Sequence, residues 1–318
     1  MVRRCRGTGN LPSLALHCGL CPASAERASI HEPYKMTLKT GNVDLAAWRG
    51  KQVTVSSDIN CAVLDKLAAT LETDTAGFSA GAVLPPLWHW LFFQRPAPHS
   101  QLGADGHAQR GDFLPPVTLP RRMWAGSRVE FFAPLVAGQA ARQQSEISNI
   151  TSKIGKSGPL VFVTVSHQVS QHGTLCLQEQ QDIVFREVST VAVRGQPPEH
   201  QAEYTRSVSA DPALLFRYSA LTFNAHRIHY DRDYARDVEQ YPGLVVHGPL
   251  MATMLLDLWQ QNNPGASLAS FRFRALAPVF DLTPFQLCGR SPDSEQRCLL
   301  WVENSEGNIC LQAEAVIA

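Results

Sequence analysis

Residues 217–256 read RYSALTFNAHRIHYDRDYARDVEQYPGLVVHGPLMATMLL, and they fall into three parts. An apolar and aromatic run, 218–222, is expected to be a strand, part of a longer one over 213–222. It enters a polar turn, 223–231, that gathers Asn224, His226, Arg227 and His229. A charged stretch follows, and 243–246 leads to His247-Gly248-Pro249 and an apolar run of helical length, 249–260. Proline is favoured in the first turn of a helix, where its missing N–H removes no hydrogen bond. Glycine before it lets another molecule approach the backbone closely. The Gly248 amide is then expected at the positive end of the helix dipole, without an acceptor inside the helix. Such an amide suits an oxygen that gains negative charge during a reaction, as a thioester carbonyl does on becoming an enolate. An ordinary helix start after a tight turn is the plainer reading of the same three residues.

His229 lies about twenty residues upstream of that helix. Imidazole takes and returns protons near neutral pH, which makes His229 the natural general acid/base. A single loop histidine is usually just solvated, but here His226, Asn224 and aromatic neighbours crowd the same few positions. A zinc site built from His226, His229 and His247 is the competing reading. No glutamate completes a His-Glu-x-x-His motif, and His226 and His229 fall on a turn, so no metal is expected.

Outward from this segment the chain reads as two halves joined by a polar stretch at 193–206 (VRGQPPEHQAEYTR). The first half shows a helical pattern at 60–71, a short apolar helix at 87–93, and a long Gly- and Pro-rich loop at 103–120. Strands follow at 127–132, 142–150, 160–169 and 175–185, with clear alternation at Val161, Val163 and Val165. The second half has strands at 268–276, 284–289, 298–302 and 309–317, the last two flanking a turn with Gly307. Ala133-Pro134-Leu135 and Ala277-Pro278-Val279 occupy matching places, each followed by three further strands. The pattern predicts an α+β fold: a duplicated unit, each helix sheathed by its own antiparallel sheet. One large α+β domain with chance similarity is the alternative.

Composition limits the function classes. The chain has 318 residues, 44% of them hydrophobic, and 28 basic side chains balance 28 acidic ones. Nothing global attracts nucleic acid or an anionic membrane. No stretch approaches the ~20 apolar residues of a spanning helix; the run at 84–93 contains two prolines and a histidine. Of eight cysteines, Cys61, Cys176, Cys288, Cys298 and Cys310 sit singly in apolar segments, which fits a reducing compartment. Cys18-x-x-Cys21 lacks a second pair and a strand–helix context, so it is not read as a metal or redox site. Residues 1–35 carry Arg3, Arg4 and Arg6 and no acidic residue before Glu26. Either translation starts at Met36, or these residues are a mitochondrial presequence. Disorder is expected in both cases. The location expected is cytoplasmic, or the mitochondrial matrix under the second reading.

The run from Phe223 to Asp231 together with Gly243 to Pro249 resembles the MaoC-like hydratases, and more closely their branch of type 2 hydroxyacyl-thioester dehydratases. From about residue 40 the chain is similar to the itaconyl-CoA and mesaconyl-C4-CoA hydratases of that branch. The resemblance implies a double hot-dog fold, with a first repeat over 36–192 whose site is degenerate and a second over 207–318 that carries the catalytic motif. In the wider family the motif is Asp-x-Asn-Pro-x-His. With the histidine at His229, the aspartate position holds Asn224, the asparagine position His226 and the proline position Arg227. Asn224 can orient water or substrate but cannot act as a base.

The implied chemistry is hydration of a short branched dicarboxylic enoyl-CoA to citramalyl-CoA, with no cofactor. His229, Asn224, Gly248 and His226 form the catalytic set, His226 more as a brace for His229 than as a second proton carrier. The substrate's free carboxylate calls for an arginine: Arg227 within the motif, or Arg217 and Arg232 beside it. His247 is counted with the binding residues, and Lys153 and Lys156, beside a glycine-rich turn, with the CoA phosphates. The acyl-CoA is the partner expected, and a homodimer is compatible. A fatty-acid-type 3-hydroxyacyl-thioester dehydratase and a non-catalytic acyl-CoA-binding protein are the alternatives.

Overall fold

Alternating buried and exposed residues dominate both halves. Val161, Val163 and Val165 are buried as their spacing predicts, because successive strand side chains point to opposite faces. A computed structural model describes residues 39–40, 43–73, 77–155, 158–188 and 195–318. Cys18 and Cys21, Lys156 and the segment 1–35 lie outside the described residues. A small ladder pairs β1 (Lys39–Thr40) with β2 (Val43–Asp44). The first half then supplies β3 (Gln52–Asp58), α1 (Cys61–Leu71), β4 (Arg121–Phe131), β5 (Ala140–Gly155), β6 (Gly158–Gln171) and β7 (Thr174–Arg186). The second supplies β8 (Tyr204–Val208), α2 (Pro212–Leu221), α3 (Gly248–Asn262), β9 (Leu268–Ala275), β10 (Phe285–Gly289), β11 (Arg297–Glu303) and β12 (Ile309–Ile317).

Strands β3 to β12 form one antiparallel sheet in the order β3-β5-β6-β7-β4-β9-β12-β11-β10-β8. Read outward from the β4–β9 seam, each half repeats the other. The repeat extends to single hydrogen bonds. Cys176 O accepts the amides of Phe132 and Ala133, and Cys310 O accepts those of Leu276 and Ala277. Leu84 N–H donates to Leu135 O and Val246 N–H to Val279 O, each at 2.8 Å. The α+β double hot-dog expectation holds, with the two sheets fused along β4–β9 into one.

The second half keeps its long central helix. Nine residues of α3 are buried, among them Leu250, Leu255, Leu256 and Trp259. An apolar surface on every side marks a helix sunk in a core. Truncating Leu255, fully buried, would cost about 2–5 kcal/mol. In the first half the helix expected at 87–93 is only a 3-10 turn, Trp88–Leu91.

Other expectations need correction. Residues 213–222 are not a strand but helix α2. Asp211 caps it by accepting the Leu214 amide, and Pro212 opens it, so local start signals outweigh the aromatic and apolar character of the run. Strands β3 and β8 went unrecognised. They are the two edges of the sheet, where one face of the backbone meets water and the side chains can be polar. The stretch expected as a linker therefore ends at Tyr204. No helix among the described residues is long and apolar enough to cross a membrane.

Candidate active site

Helix α2 ends by a device that aims the motif. Phe223 adopts φ +50, its amide donates to Ala220 O, and the Asn224 amide donates to Ser219 O at 2.8 Å. This is the hydrogen-bond pattern of a helix closed by one left-handed residue, a place usually taken by glycine. The turn sets Asn224 and the residues after it against a cavity of about 470 Å³. Asn224, His226, His229, His247 and Gly248 all line that cavity. The Asn224 Oδ1 accepts the His226 amide at 3.0 Å, which leaves its Nδ2 as the donor for other partners.

His229 sits on a 3-10 turn, Arg227–His229, and is buried. Its Nδ1–H donates to Val245 O at 2.7 Å, so Nε2 keeps the lone pair. Burial lowers its pKa to about 4, against the pull of the Val245 carbonyl, with the charge of His107 adding to the fall. At neutral pH it is a free base. The His247 ring stacks on His229 at 3.6 Å between centroids and 19° between planes. His247 is in turn held by Ser219, whose Oγ lies 2.8 Å from its Nε2, and by the edge of Tyr218. Burial first, then the nearby His229 and His226, keep His247 well below the ordinary imidazole range. His247 thus braces His229 from helix α2.

His226 meets His229 edge-on at 5.5 Å and packs against His107 at 4.2 Å. His107 belongs to the first-half loop, where Asp105 Oδ2 lies 3.2 Å from its Nδ1 and Asp105 Oδ1 accepts its amide. Burial works to raise the Asp105 carboxyl, but the hydrogen bonds and charge of His107 outweigh it and hold it below the usual range. The loop can reach the motif because residue 106 is glycine. It has φ +88, and a Cβ there would collide with Ala225 O. Arg227 N–H donates to Asp105 O at 2.9 Å across the same contact.

Gly248 begins α3, and among the described residues its amide has no acceptor. A Cβ at this position would meet nothing within 4 Å beyond its chain neighbours and the backbone of its own helix. The glycine therefore answers no packing need within the chain; it leaves room in front of an N–H at the positive end of a helix.

The arginines expected near the substrate lie elsewhere. Arg227 donates to Asp231 Oδ2 at 2.7 and 3.0 Å and to Ala104 O, with its guanidinium 4.2 Å over Tyr234. Arg232 pairs with Asp281, and Arg217 is exposed on α2. Lys153 is exposed and lies over Phe162, outside the cavity lining. A triad close enough to share a cation is formed by Asp105, His107 and His226, not by the three histidines weighed from the sequence.

The first half adds residues that sequence reasoning missed: His107, Arg122, Trp90 and Trp124 line the cavity. Trp90 and Trp124 meet edge to face at 4.9 Å. Behind them Glu179, fully buried, accepts from Trp90 Nε1, Ser127 Oγ and Gln181 Nε2 and lies 3.0 Å from His89 Nε2. Burial pushes this carboxyl up, yet these hydrogen bonds and the charges of His89 and His167 hold it at about 2. The Asp105-Gly106-His107 triplet was the one local signal available, since Asp and Gly together mark a turn.

A family model for type 2 hydroxyacyl-thioester dehydratases matches residues 87–281. The chain is 50% identical to mesaconyl-C(4)-CoA hydratase of Chloroflexus aurantiacus, over 86% of its own length and 97% of the relative. It is 29% identical to the mitochondrial type 2 hydroxyacyl-thioester dehydratase of Schizosaccharomyces pombe, over 74% of this chain and 89% of that one. Among solved structures, a MaoC-like dehydratase from Phytophthora capsici superposes with a TM-score of 0.63 at 18% identity, covering 85% of this chain and 96% of that one. A Mycobacterium tuberculosis protein described as having a double hotdog fold gives 0.53 at 11%, covering 85% and 96%. By sequence match, and with a fold that agrees, the chain belongs to the type 2 hydroxyacyl-thioester dehydratase family.

Proposed function

We propose that the protein adds water to the double bond of a short, branched dicarboxylic enoyl-CoA, mesaconyl-C4-CoA before itaconyl-CoA. The observation that carries this reading is that the free Nε2 of His229 and the unpaired amide of Gly248 belong to residues lining one cavity. The half-identical hydratase relative supports the choice of substrate.

In the proposed step the thioester carbonyl accepts from the Gly248 N–H. Asn224 Nδ2 holds a water, and His229 Nε2 takes one of its protons as the oxygen bonds to the β-carbon. The π electrons move to the carbonyl oxygen, where the Gly248 amide stabilises the enolate. The α-carbon then receives the proton, which completes the addition of one water. His247 and His226 hold the His229 ring in place. Pairing of the two hot-dog halves within one chain means that no second copy is needed to complete the site.

Mass spectrometry of mesaconyl-C4-CoA, itaconyl-CoA and crotonyl-CoA incubated side by side tests the reading. The dicarboxylic esters should gain water fastest. His229→Ala should lower kcat at least about 100-fold, since a general acid/base contributes ~10²–10⁴, and its circular dichroism should match wild type. The family match and the yeast relative lend weaker support to a second reading, a fatty-acid-type dehydratase. Preference for crotonyl-CoA or longer monocarboxylic esters would establish it.

A further inference from the structure

The mesaconyl-C4 thioester carries its free carboxylate on the same carbon that receives the hydroxyl. An anchor for this anion must stand beside His229 and Asn224, not at a distant end of the cavity. Arg227 and Arg232 are already paired with Asp231 and Asp281, and Arg217 faces outward. Two arginines do line the cavity, Arg122 near the start of β4 and Arg186 at the end of β7. Arg122 is the one whose charge bears on His107 and His226, the rings next to His229. The carboxylate whose charge bears on Arg122, Asp105, has both oxygens engaged by His107.

Among the described residues the Arg122 guanidinium forms no ion pair and donates no hydrogen bond. Burial lowers it to about 10, which leaves it charged at neutral pH. A cation partly withdrawn from water and left without a counter-ion is unfavourable by itself, and a ligand carboxylate would offset that cost. The planar fork of arginine matches a carboxylate through two parallel N–H···O bonds.

We propose that Arg122 is the carboxylate anchor that makes this cavity select dicarboxylic over monocarboxylic acyl thioesters. The inference rests on the thioester reading of the site, and its test needs no turnover. Succinyl-CoA and butyryl-CoA are saturated, cannot be hydrated, and differ at the β-carbon by a carboxylate in place of a methyl group. Calorimetry of both with wild type, Arg122→Gln, Arg122→Lys and Arg186→Gln reads the contribution directly. Wild type should prefer succinyl-CoA. Arg122→Gln should weaken succinyl-CoA roughly 10–100-fold, the loss expected for a charge-assisted hydrogen-bonded contact, and change butyryl-CoA less than about threefold. Arg122→Lys should restore part of the preference, and carries the test if the glutamine variant does not fold.

Equal weakening of both ligands would overturn the proposal, because it would place Arg122 against the CoA phosphates shared by both. An unchanged preference in Arg122→Gln, no preference in wild type, or loss of preference only in Arg186→Gln would each overturn it as well. Absence of hydration by wild type on every enoyl-CoA would sink the hydratase reading separately, leaving the binding contrast intact.

Discussion

The two halves of the sheet share a topology and, in the proposed mechanism, divide the work. The first half keeps long strands, sixteen, fourteen and thirteen residues in β5, β6 and β7, against five, seven and nine in β10, β11 and β12. The second half keeps the long helix and three of the four histidines that line the cavity, His226, His229 and His247. Matching hydrogen bonds at Leu84 and Val246 align the segments that follow, so that Pro86 stands where the second half has Gly248. Proline has no N–H. The first half therefore lacks the N–H that the proposed mechanism uses as oxyanion donor, and its backbone departs from the second half right after, with Leu87 at φ +70 and a 3-10 turn in place of α3. Likewise Thr73, whose amide donates to Ala68 O, stands where Asn224 donates to Ser219 O. In the proposed mechanism the first half serves as a wall of the cavity, to which it contributes Trp90, His107, Arg122 and Trp124.

The sharpest way to break this comparison is to give the second half the first half's residue. Gly248→Pro should lower kcat by roughly 10²–10³, the effect of deleting one oxyanion donor. The fold should tolerate it, because His247 already has φ −64 and ψ 129, which suits a residue before proline, and position 248 opens a helix. Near-normal turnover in a folded variant would remove Gly248 from the mechanism. The reverse change, Pro86→Gly, should create no second activity.

The complementary cut falls on the first half. Glu179→Ala strips a buried carboxylate from donors on Trp90, Ser127, Gln181 and His89. It should cost about 3–5 kcal/mol, read as a fall in chemical-denaturation midpoint. Its kcat/KM, measured on the folded enzyme, should fall less than tenfold. A large loss of rate with unchanged stability would contradict the division of labour.

Acid probes the site from both halves at once. His229 has a folded-state pKa depressed to about 4, and His107, His226 and His247 are depressed as well, by burial first in each case. Depressed groups stabilise the native state above their unfolded value, about 6.5, and that stability is lost as pH falls toward the folded values. Stability should thus begin to decline below about pH 6.5. The acid limb of kcat/KM, which reports the free enzyme, should lie nearer 4. A limb centred at 6.5 or above would show that His229 is not the titrating base.

The smallest expected effect compares the two helix ends. Glu72 and Phe223 both hold the left-handed residue after α1 and α2, with φ +54 and +50. Glu72→Gly should stabilise the fold by up to about 1 kcal/mol, readable as a small rise in Tm, without altering turnover. Phe223→Gly should stabilise similarly but disturb KM, since Phe223 also lines the cavity.

How legible the molecule was depended on where its information lies. His247-Gly248-Pro249 announced a helix start because capping and proline rules are local. The same grammar was present at Asp211-Pro212 and was overridden by the aromatic and apolar look of the following run, which turned α2 into an expected strand. Edge strands β3 and β8 were hidden by their polar faces. His229 and Asn224 could be singled out because they crowd one turn. Arg122 and His107 could not, since only pairing across the β4–β9 seam and the close seat of Gly106 on Ala225 bring them to that turn.

The hydrogen bond from His229 Nδ1 to Val245 O has a stereochemical consequence. In the proposed mechanism a ring pinned through Nδ1 and stacked against His247 leaves a single nitrogen, Nε2, to carry the proton from water to carbon. Hydrogen and hydroxyl would then be delivered to the same side of the planar alkene, and one hand of the tertiary alcohol would form.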